Sequence, residues 1–240
     1  MSLKQIGEMF DAMQSMHTDS DLRREMETFA KKLGFDTFVY ALRITAPSLA
    51  ARDFLLSGYP KGWVALYMAS RYFAVDPVVQ HCQRSSLPVI WDASTPGDGR
   101  ASEFWEEARS FGLQAGVSFS VHELPGITGI FSLSRDVSLD LHGESLDALV
   151  GKAQVFASVL HHSVLRMHLP KLVPQATVDL TARERECLKW SAAGKTTREV
   201  GVILGITERT AVFHMNNVVQ KLGAANKTQA IVRALALNYI

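Results

Sequence analysis

Apolar residues follow two different periods along the first 170 residues. From Leu22 to Leu33 they recur at helical spacing, which predicts a helix that Ser20 caps and Gly34 ends. Short runs of β-branched and aromatic residues predict strands at 37–45, 53–56, 87–91, 117–122 and 129–134, and helical patterns cover 60–70, 100–111 and 141–168. The last two strands flank Pro125-Gly126 with no crossover helix between them, so this pair is antiparallel. The pattern predicts an α+β domain, an α-β-α sandwich around a mostly antiparallel five-stranded sheet.

A second domain follows a segment that contains two prolines, Leu169–Ala176. Proline removes a backbone donor and favours extended geometry in the residue before it, so this segment is predicted to be a linker. A chain of 240 residues is also long for one domain, since most domains have about 100 to 150 residues. The predicted boundaries are 1–169 for the first domain, 170–177 for the linker and 178–240 for the second domain.

The pattern beyond the linker contains helices and no strands. Thr181 and Glu184 have the spacing of a capping box, which opens a helix ended by Gly194. A short helix at 197–204 is followed by the turning residue Gly205, and further helices are predicted at about 208–222 and from 227. Two helices joined by a tight turn, with one helix on either side, predict an all-α four-helix helix-turn-helix domain.

Composition limits the classes of protein to consider. The net charge is only +1, but residues 175–240 hold nine Lys or Arg against five Asp or Glu, while residues 1–174 hold sixteen against nineteen. The second domain is therefore the basic one. The two cysteines, Cys82 and Cys187, give neither a disulfide framework nor a metal spacing, which indicates a reducing compartment. No stretch approaches the ~20 apolar residues of a membrane span, so we expect a cytoplasmic chain without membrane contact.

The third helix of the basic domain has the composition of a recognition helix. Residues at its amino terminus and along its polar side could enter a DNA groove: Glu208, Arg209, Thr210, Val212, Phe213, Asn216 and Asn217. Five residues close to helix ends could contact phosphates: Lys195, Thr197, Arg198, Lys221 and Lys227. The alternative is a structural or dimerising four-helix unit with a solvated charged face.

The segment Leu180–Ile231 resembles the DNA-binding module of LuxR-type transcription regulators. The family's landmarks fall on Glu184, Leu188, Gly194, Lys195, Thr210, His214, Asn217, Lys221 and Leu222. The chain departs from the family at Ala211, where relatives usually carry Val, and at Val212, where they often carry Lys or Asn. The resemblance implies a homodimer that binds double-stranded DNA at a two-fold-symmetric site, contacts RNA polymerase, and acts as an activator rather than a repressor.

The first domain carries polar groups suited to a small ligand. Trp63 and Tyr67 lie four residues apart on one helix face, and Tyr59 comes just before the helix. Asp76 lies in an apolar run, where an acceptor-only carboxylate is costly unless a group such as a ligand amide N–H donates to it. The alternative for Asp76 is an N-cap or turn carboxylate before Pro77. The hydroxyls of Ser118 and Ser132 would add polar groups to the same pocket.

The segments 58–79, 88–91 and 103–121 resemble the autoinducer-binding domain of quorum-sensing members of this family, which bind acyl-homoserine lactones. By this resemblance Trp63 bonds the lactone carbonyl and Asp76 the amide N–H, while Tyr59 and Ser132 bond the amide carbonyl. The walls would be formed by Tyr67, Trp91, Phe104, Ala108 and Leu113. Val64 stands where relatives that favour 3-oxo chains have Arg, which argues against a 3-oxo ligand.

The rival interpretations are a lactone-processing enzyme fused to a DNA-binding unit and a haem or flavin sensor. The sequence has no G-x-S-x-G elbow and no H-x-H-x-D-H metal pattern, and it lacks a distinctive cofactor motif. We therefore expect no catalytic residues, no metal and no cofactor. The candidates for a dimer interface are the helix at 141–168 and the last helix, on which Ala230, Ile231, Ala234 and Leu235 cluster.

Overall fold

The computed structural model describes residues 2–45, 50–92, 95, 99–124, 126–137 and 144–240, with only the backbone at 124 and 144–147. The chain divides into two compact units. Residues 165–240, together with 43–52 and 123–127, form the second unit, and the rest of the chain forms the first. Within the described ranges, no helix combines the length and apolar character needed to cross a membrane.

The first unit is built on one antiparallel sheet of five strands: β1 (Thr37–Ile44), β2 (Arg52–Ser57), β3 (Val89–Trp91), β4 (Ala115–Leu124) and β5 (Ile127–Arg135). Their order in the sheet is β2-β1-β5-β4-β3. The helices of this part of the chain are α1 (Leu3–Gln14), α2 (Asp19–Lys32), α3 (Lys61–Ala69), α4 (Pro77–Cys82), α5 (Arg100–Ser110) and α6 (Glu144–Leu172). The five predicted strands are confirmed. Pro125 of the predicted hairpin and residues 141–143 of the predicted long helix lie outside the described residues.

Helices cover both faces of this sheet. On one face, the Phe131 ring of β5 lies 5.3 Å from the Phe156 ring of α6, and Phe29 of α2 stacks on Phe156 with ring centres 3.8 Å apart. On the other face, α3, α4 and α5 contribute to an aromatic cluster that includes Trp63 and Phe104. The predicted α-β-α sandwich is confirmed, since apolar side chains from both faces of the sheet are buried against helices.

The helix starts differ from the prediction in one place. Thr18, not Ser20, caps α2, because its hydroxyl accepts from the backbone N–H of Asp21 at 3.1 Å and donates to the Asp21 carboxylate at 2.6 Å. An earlier cap also brings Asp19 and Asp21 into the first helical turn, where negative charge is favourable. The sequence analysis did not predict α1 or the six-residue helix α4.

The prediction of an extended linker from Leu169 onward is wrong for the first residues of that segment. The helix α6 continues through Pro170 and ends at Leu172, and a 3₁₀ turn follows at Pro174–Thr177. A proline this close to a helix end costs one intrahelical hydrogen bond, because only its own N–H is missing. Val173 is buried, and its N–H still donates to the carbonyl of Leu169 at 2.8 Å.

A buried hydrogen bond joins the sheet to α6. The hydroxyl of Tyr40 in β1 lies 2.7 Å from Nδ1 of His161 in α6, and both side chains are fully buried. Burial lowers the pKa of His161 to about 4, so the imidazole is neutral at physiological pH. Gly129 of β5 makes room for this pair, since a Cβ there would lie 2.2 Å from His161 Nδ1 and 2.8 Å from the Tyr40 hydroxyl.

The second unit contains α7 (Ala182–Ala192), α8 (Thr197–Leu204), α9 (Glu208–Lys221) and α10 (Lys227–Ala236). The capping box of Thr181 and Glu184 is confirmed, and Gly205 has the predicted turning conformation with φ of +65°. Gly201 is also required, because a Cβ there would lie 2.9 Å from the carbonyl oxygen of Ile206. The predicted four-helix helix-turn-helix fold is therefore confirmed.

An ion pair fixes the end of α9 against the start of α7. The Lys221 ammonium donates to Oε2 of Glu184 at 2.7 Å and to the carbonyl of Asp179 at 2.9 Å. Burial raises the pKa of Glu184, but hydrogen bonds from Lys221 and Thr181 outweigh that effect and leave the pKa below its usual value. Glu184 is 2% exposed, so it depends on Lys221 for its counter-charge.

Gly129→Ala should destabilise the first unit by about 1 to 3 kcal/mol, because the added methyl forces the buried Tyr40 and His161 apart. Urea unfolding of the full chain measures the change. Gly151→Ala is the matched control. Gly151 lies on α6 with nothing within 4 Å of an added Cβ, so this variant should be stabilised by about 0.5 to 1 kcal/mol. Equal effects of the two substitutions would contradict the role given to Gly129.

Lys221→Met should destabilise the second unit by about 1 to 3 kcal/mol at pH 7, between the values for exposed and buried ion pairs. The folded pKa of Glu184 is lowered, so the pair stabilises above the unfolded pKa and this contribution is lost as pH falls through the folded pKa. The gap between wild type and variant should therefore close in acid. Lys195→Met, which removes an exposed pair with Glu199 at 3.6 Å, should change stability by less than about 0.5 kcal/mol. A gap that persists in acid would contradict this account.

Candidate functional sites

A cavity of about 140 Å³ lies between the sheet and the helices α3, α4 and α5. All ten residues predicted to surround a ligand line this cavity: Tyr59, Trp63, Tyr67, Asp76, Trp91, Phe104, Ala108, Leu113, Ser118 and Ser132. Val64, the position that the resemblance connects with 3-oxo ligands, also lines the cavity. Nine further wall residues were not predicted: Val39, Ala41, Leu55, Ser57, Met68, Val78, Val79, Trp105 and Ile130. Strand alternation could have found Val39 and Ala41, because they share one face of β1, but it does not tell which face holds the cavity.

The wall contributed by α3 is an aromatic array. Trp63 is 3% exposed, and its ring lies 5.7 Å from Tyr67 and 5.8 Å from Phe104, measured between ring centres. Tyr67 meets Phe104 edge to face at 6.1 Å. Rings in tilted and edge-to-face contact hold one another in place, so this wall is rigid and presents an indole N–H and a phenol hydroxyl on a single helix.

Asp76 has two roles, one for each carboxylate oxygen. Oδ1 accepts from the backbone N–H groups of Val78 and Val79, at 2.8 and 3.3 Å, so Asp76 is the N-cap of α4. Oδ2 accepts from the Tyr67 hydroxyl at 2.9 Å. The N-cap interpretation is therefore confirmed for the first oxygen, while the second oxygen belongs to the polar groups of the cavity wall.

Burial makes the Asp76 carboxylate an unusual group. It raises the pKa of Asp76 to about 6, against the lowering effect of the hydrogen bonds from Tyr67, Val78 and Val79. No Lys or Arg occurs among the residues described as lining the cavity. A carboxylate accepts up to four hydrogen bonds, and three are made here, so a buried N–H of a bound molecule has an acceptor available.

A second polar group runs across the sheet on the opposite side of the cavity. The Trp91 indole N–H donates to the Ser118 hydroxyl at 3.0 Å, and the Ser118 hydroxyl donates to Ser132 at 2.8 Å. Trp91 pairs with Gly116 across β3 and β4, and a Cβ at Gly116 would lie 2.3 Å from Cζ2 of Trp91. The Trp91 indole N–H is thus used within the wall, by Ser118.

The Tyr59 hydroxyl is a donor at physiological pH. Burial raises the pKa of Tyr59, so the phenol stays protonated. Tyr59 lies just before α3, and its hydroxyl can act together with that of Ser132, since both residues line the same cavity.

The residues predicted to contact DNA lie on two helices of the second unit and in the segment before α8. Glu208, Arg209 and Thr210 form the first turn of α9, and Thr207 caps that turn through the N–H of Thr210 at 3.1 Å. Phe213 is 59% exposed, and Val212 and Asn216 are exposed on the same helix, with Asn217 half-buried. Thr197 and Arg198 begin α8, and Lys195 precedes it.

The basic residues of this surface differ in what else they bind. Lys221 uses two of its three N–H donors inside the domain, and Lys195 lies 3.6 Å from Glu199. Across residues 144–240 and the rest of the described chain, neither Arg198 nor Arg209 takes part in an ion pair. Arg198 and Arg209 are therefore the basic residues of α8 and α9 whose side chains form no ion pair with another described residue.

Two family models match the chain. Residues 18–164 match the autoinducer binding domain, and residues 178–234 match the bacterial regulatory proteins of the luxR family. Transcriptional activator protein SolR of Ralstonia nicotianae is 38% identical over 233 residues, which cover 96% of this chain and 98% of SolR. SolR is thus named as an activator of transcription.

Solved structures of similar proteins match this chain over all or part of its length. Escherichia coli SdiA is 30% identical, with a TM-score of 0.83, and the match covers 99% of this chain and 98% of SdiA. Another SdiA structure is a complex with octanoyl-rac-glycerol. CepR2 from Burkholderia cenocepacia, an N-acylhomoserine lactone dependent transcription factor, is 27% identical with a TM-score of 0.57, covering 71% of this chain and 97% of CepR2. The chain belongs to the luxR family of bacterial transcription regulators, and it is a member with an autoinducer-binding domain.

Proposed function

We propose that this chain is an activator of transcription that responds to an N-acyl-homoserine lactone and binds DNA as a homodimer. The observation that carries the ligand assignment is the cavity, which presents a buried carboxylate and several hydroxyl and indole donors within apolar walls. CepR2 is named as dependent on such a lactone, and SolR is named as an activator. We assign residues 1–169 to ligand binding, 178–240 to DNA binding, and 170–177 to the connection between them.

An acyl-homoserine lactone matches these groups one by one. Its amide offers one N–H donor, for which Asp76 Oδ2 is the acceptor, and one carbonyl, for which Tyr59 and Ser132 are donors. Its ring carbonyl would accept from the Trp63 indole N–H. The molecule would be enclosed by the remaining wall residues, which include Tyr67, Trp91, Phe104, Ala108, Leu113 and Ser118.

The dimensions of the cavity favour a short acyl chain. About 140 Å³ is below the ~300 to 1,000 Å³ of pockets for drug-sized ligands. Leu55 and Met68 line the cavity and are nevertheless 44% and 59% exposed, so the cavity opens between β2 and α3. A longer chain would have to leave through this opening.

The DNA-binding part of the proposal places α9 in the major groove. Glu208, Arg209, Thr210, Val212, Phe213, Asn216 and Asn217 would face the bases, with Lys195, Thr197, Arg198 and Lys221 on phosphates. Of the four apolar residues predicted to form a dimer contact on the last helix, Ala230 and Ala234 are instead buried in the core of the second unit. Leu235 on α10 is 51% exposed, which supports a dimer contact through that residue. The dimer would bind a two-fold-symmetric site and contact RNA polymerase, and a regulator of this kind works in the cytoplasm.

Asp76→Asn should abolish most of the lactone-induced stabilisation while keeping the fold, because the Asn oxygen can still cap α4 while the NH2 that replaces Oδ2 is a donor and cannot accept from the amide N–H. For the wild type, ligand at a hundredfold excess over Kd adds ~2.7 kcal/mol. Without ligand, Asp76→Asn should be more stable by about 1 to 3 kcal/mol at pH 7, because the raised pKa of about 6 makes ionised Asp76 destabilising above that pH. This difference should vanish toward pH 4. Thermal unfolding with and without lactone measures both effects.

Asp179→Asn is the matched control for that substitution, since the Asp179 side chain is 97% exposed. It should leave both the stability without ligand and the lactone-induced shift unchanged. A full lactone-induced shift in Asp76→Asn would show that Asp76 serves only as the cap of α4, and the ligand position proposed above would be wrong.

The full chain with bound lactone should select two-fold-symmetric DNA from a random duplex library, with half-sites about one helical turn, ~34 Å, apart. Fluorescence anisotropy on the selected duplex then separates the roles of two residues. Arg209→Ala should weaken binding to the selected site by about 1 to 3 kcal/mol, whereas Lys195→Ala should weaken all sequences alike and reduce the salt slope by about one. Selection of sites without dyad symmetry would contradict the dimer.

A further inference from the structure

We propose that Trp91 and Ser118 are positioning residues, which direct the hydroxyl proton of Ser132 into the cavity as a donor to a ligand carbonyl. This inference rests on the proposed function, because it concerns how the same cavity distinguishes a carbonyl from other groups. Trp91, Ser118 and Ser132 are 5%, 0% and 6% exposed. Bulk water therefore does not supply hydrogen-bond partners for the indole N–H or for the two hydroxyls.

The indole sets the direction of this chain of hydrogen bonds. An indole N–H is only a donor, so the Ser118 oxygen, 3.0 Å away, must accept from Trp91. The Ser118 proton is then free to go to Ser132 Oγ at 2.8 Å. With that lone pair of Ser132 occupied, the Ser132 proton has to point elsewhere. Among the residues that the structure describes, no protein group accepts this proton, and Ser132 lines the cavity.

Strand geometry holds the first link of the chain in place. Gly116 and Ser118 share one face of β4 because they are two residues apart, and Trp91 lies opposite Gly116 in the neighbouring strand. A Cβ at Gly116 would lie 2.3 Å from Cζ2 of Trp91, so only glycine lets the indole lie across this position. The ring therefore spans one residue of β4, and its N–H reaches the next residue on that face, Ser118.

The consequence is a cavity with fixed hydrogen-bonding polarity. Asp76 can only accept while it is ionised, and Ser132 is turned into a donor, so the two groups match the N–H and the C=O of one secondary amide. A serine without this support could rotate to accept or to donate. The chain from Trp91 would then contribute selectivity for a strong carbonyl acceptor more than it contributes total affinity.

A pair of ligands that differ in acceptor strength tests this role. The probes are N-butanoyl-homoserine lactone and its thioamide analogue, in which sulfur, a weaker acceptor, replaces the amide oxygen. Titration calorimetry on the full chain gives the ratio of the two affinities. We expect the wild type to prefer the oxygen ligand by about tenfold, and Ser132→Ala, which leaves only the Tyr59 hydroxyl as a donor to this carbonyl, to lose most of the preference and retain a ratio of about twofold.

The positioning residues are tested by the same ratio. Ser118→Ala and Trp91→Phe should each lower it to about threefold, while Ser118→Thr, which keeps the hydroxyl, should restore the wild-type preference. A purely structural role would weaken both ligands alike and leave the ratio unchanged. Circular dichroism checks that each variant is folded, and Trp91→Phe replaces Ser118→Ala if the latter does not fold.

Each outcome has one interpretation. Wild-type ratios in Ser118→Ala and Trp91→Phe, together with a lost preference in Ser132→Ala, would overturn the positioning role and leave the proposed function intact. An unchanged ratio in Ser132→Ala would show that Ser132 does not donate to the amide carbonyl, which also removes the positioning role. Failure of the wild type to bind any acyl-homoserine lactone would instead contradict the proposed function itself.

Discussion

The first unit depends on how one buried carboxylate is satisfied. Asp76 has to be surrounded by donors because burial removes its water, and the structure supplies them from two elements: the first turn of α4 and the hydroxyl of Tyr67 on α3. The same residue therefore starts a helix, ties it to the neighbouring helix and lines the cavity. A ligand that donates to Asp76 would act directly on the packing of α3 against α4, so sensing would need no separate relay to reach the fold.

The sheet forms the wall of the cavity opposite Asp76, and its polar groups act as hydrogen-bond donors, whereas Asp76 is an acceptor. On the sheet, the groups that reach the interior are donors or can be made donors, beginning with the Trp91 indole. Their arrangement comes from strand register, which is rigid, whereas Asp76 sits at a helix start. Asp76 at the start of α4 and Ser132 on β5 place an acceptor and a donor in the wall of one cavity, and this pair suits an amide better than an ester or a free acid.

Local sequence patterns predicted most of the elements and the inward side chains, and they failed where two local signals compete or where distant partners decide. Periodicity was enough for the five strands, and the spacing of Thr181 and Glu184 was enough for the start of α7. Thr18 and Ser20 are both good caps, so the choice between them depended on the acidic first turn that each would leave. The partner of Lys221 is Glu184, 37 residues earlier, and no local pattern connects them. The same holds for Ser118 and Trp91, whose hydrogen bond depends on the pairing of β3 with β4.

The second unit carries residues whose placement lowers its own stability. Arg209 lies in the first turn of α9, where a cation opposes the helix dipole, and Arg198 has the same position in α8. Phe213 on α9 is apolar and is nevertheless 59% exposed. By contrast, Lys221 lies near the carboxyl end of α9, where a cation is favoured, and it is held by Glu184. Lys221 thus stabilises the fold, whereas Arg198 and Arg209 lie where a cation lowers the stability of the helix. An unfavourable position is retained when an external partner compensates it, and DNA would compensate both arginines, Arg198 through a phosphate and Arg209 through a base.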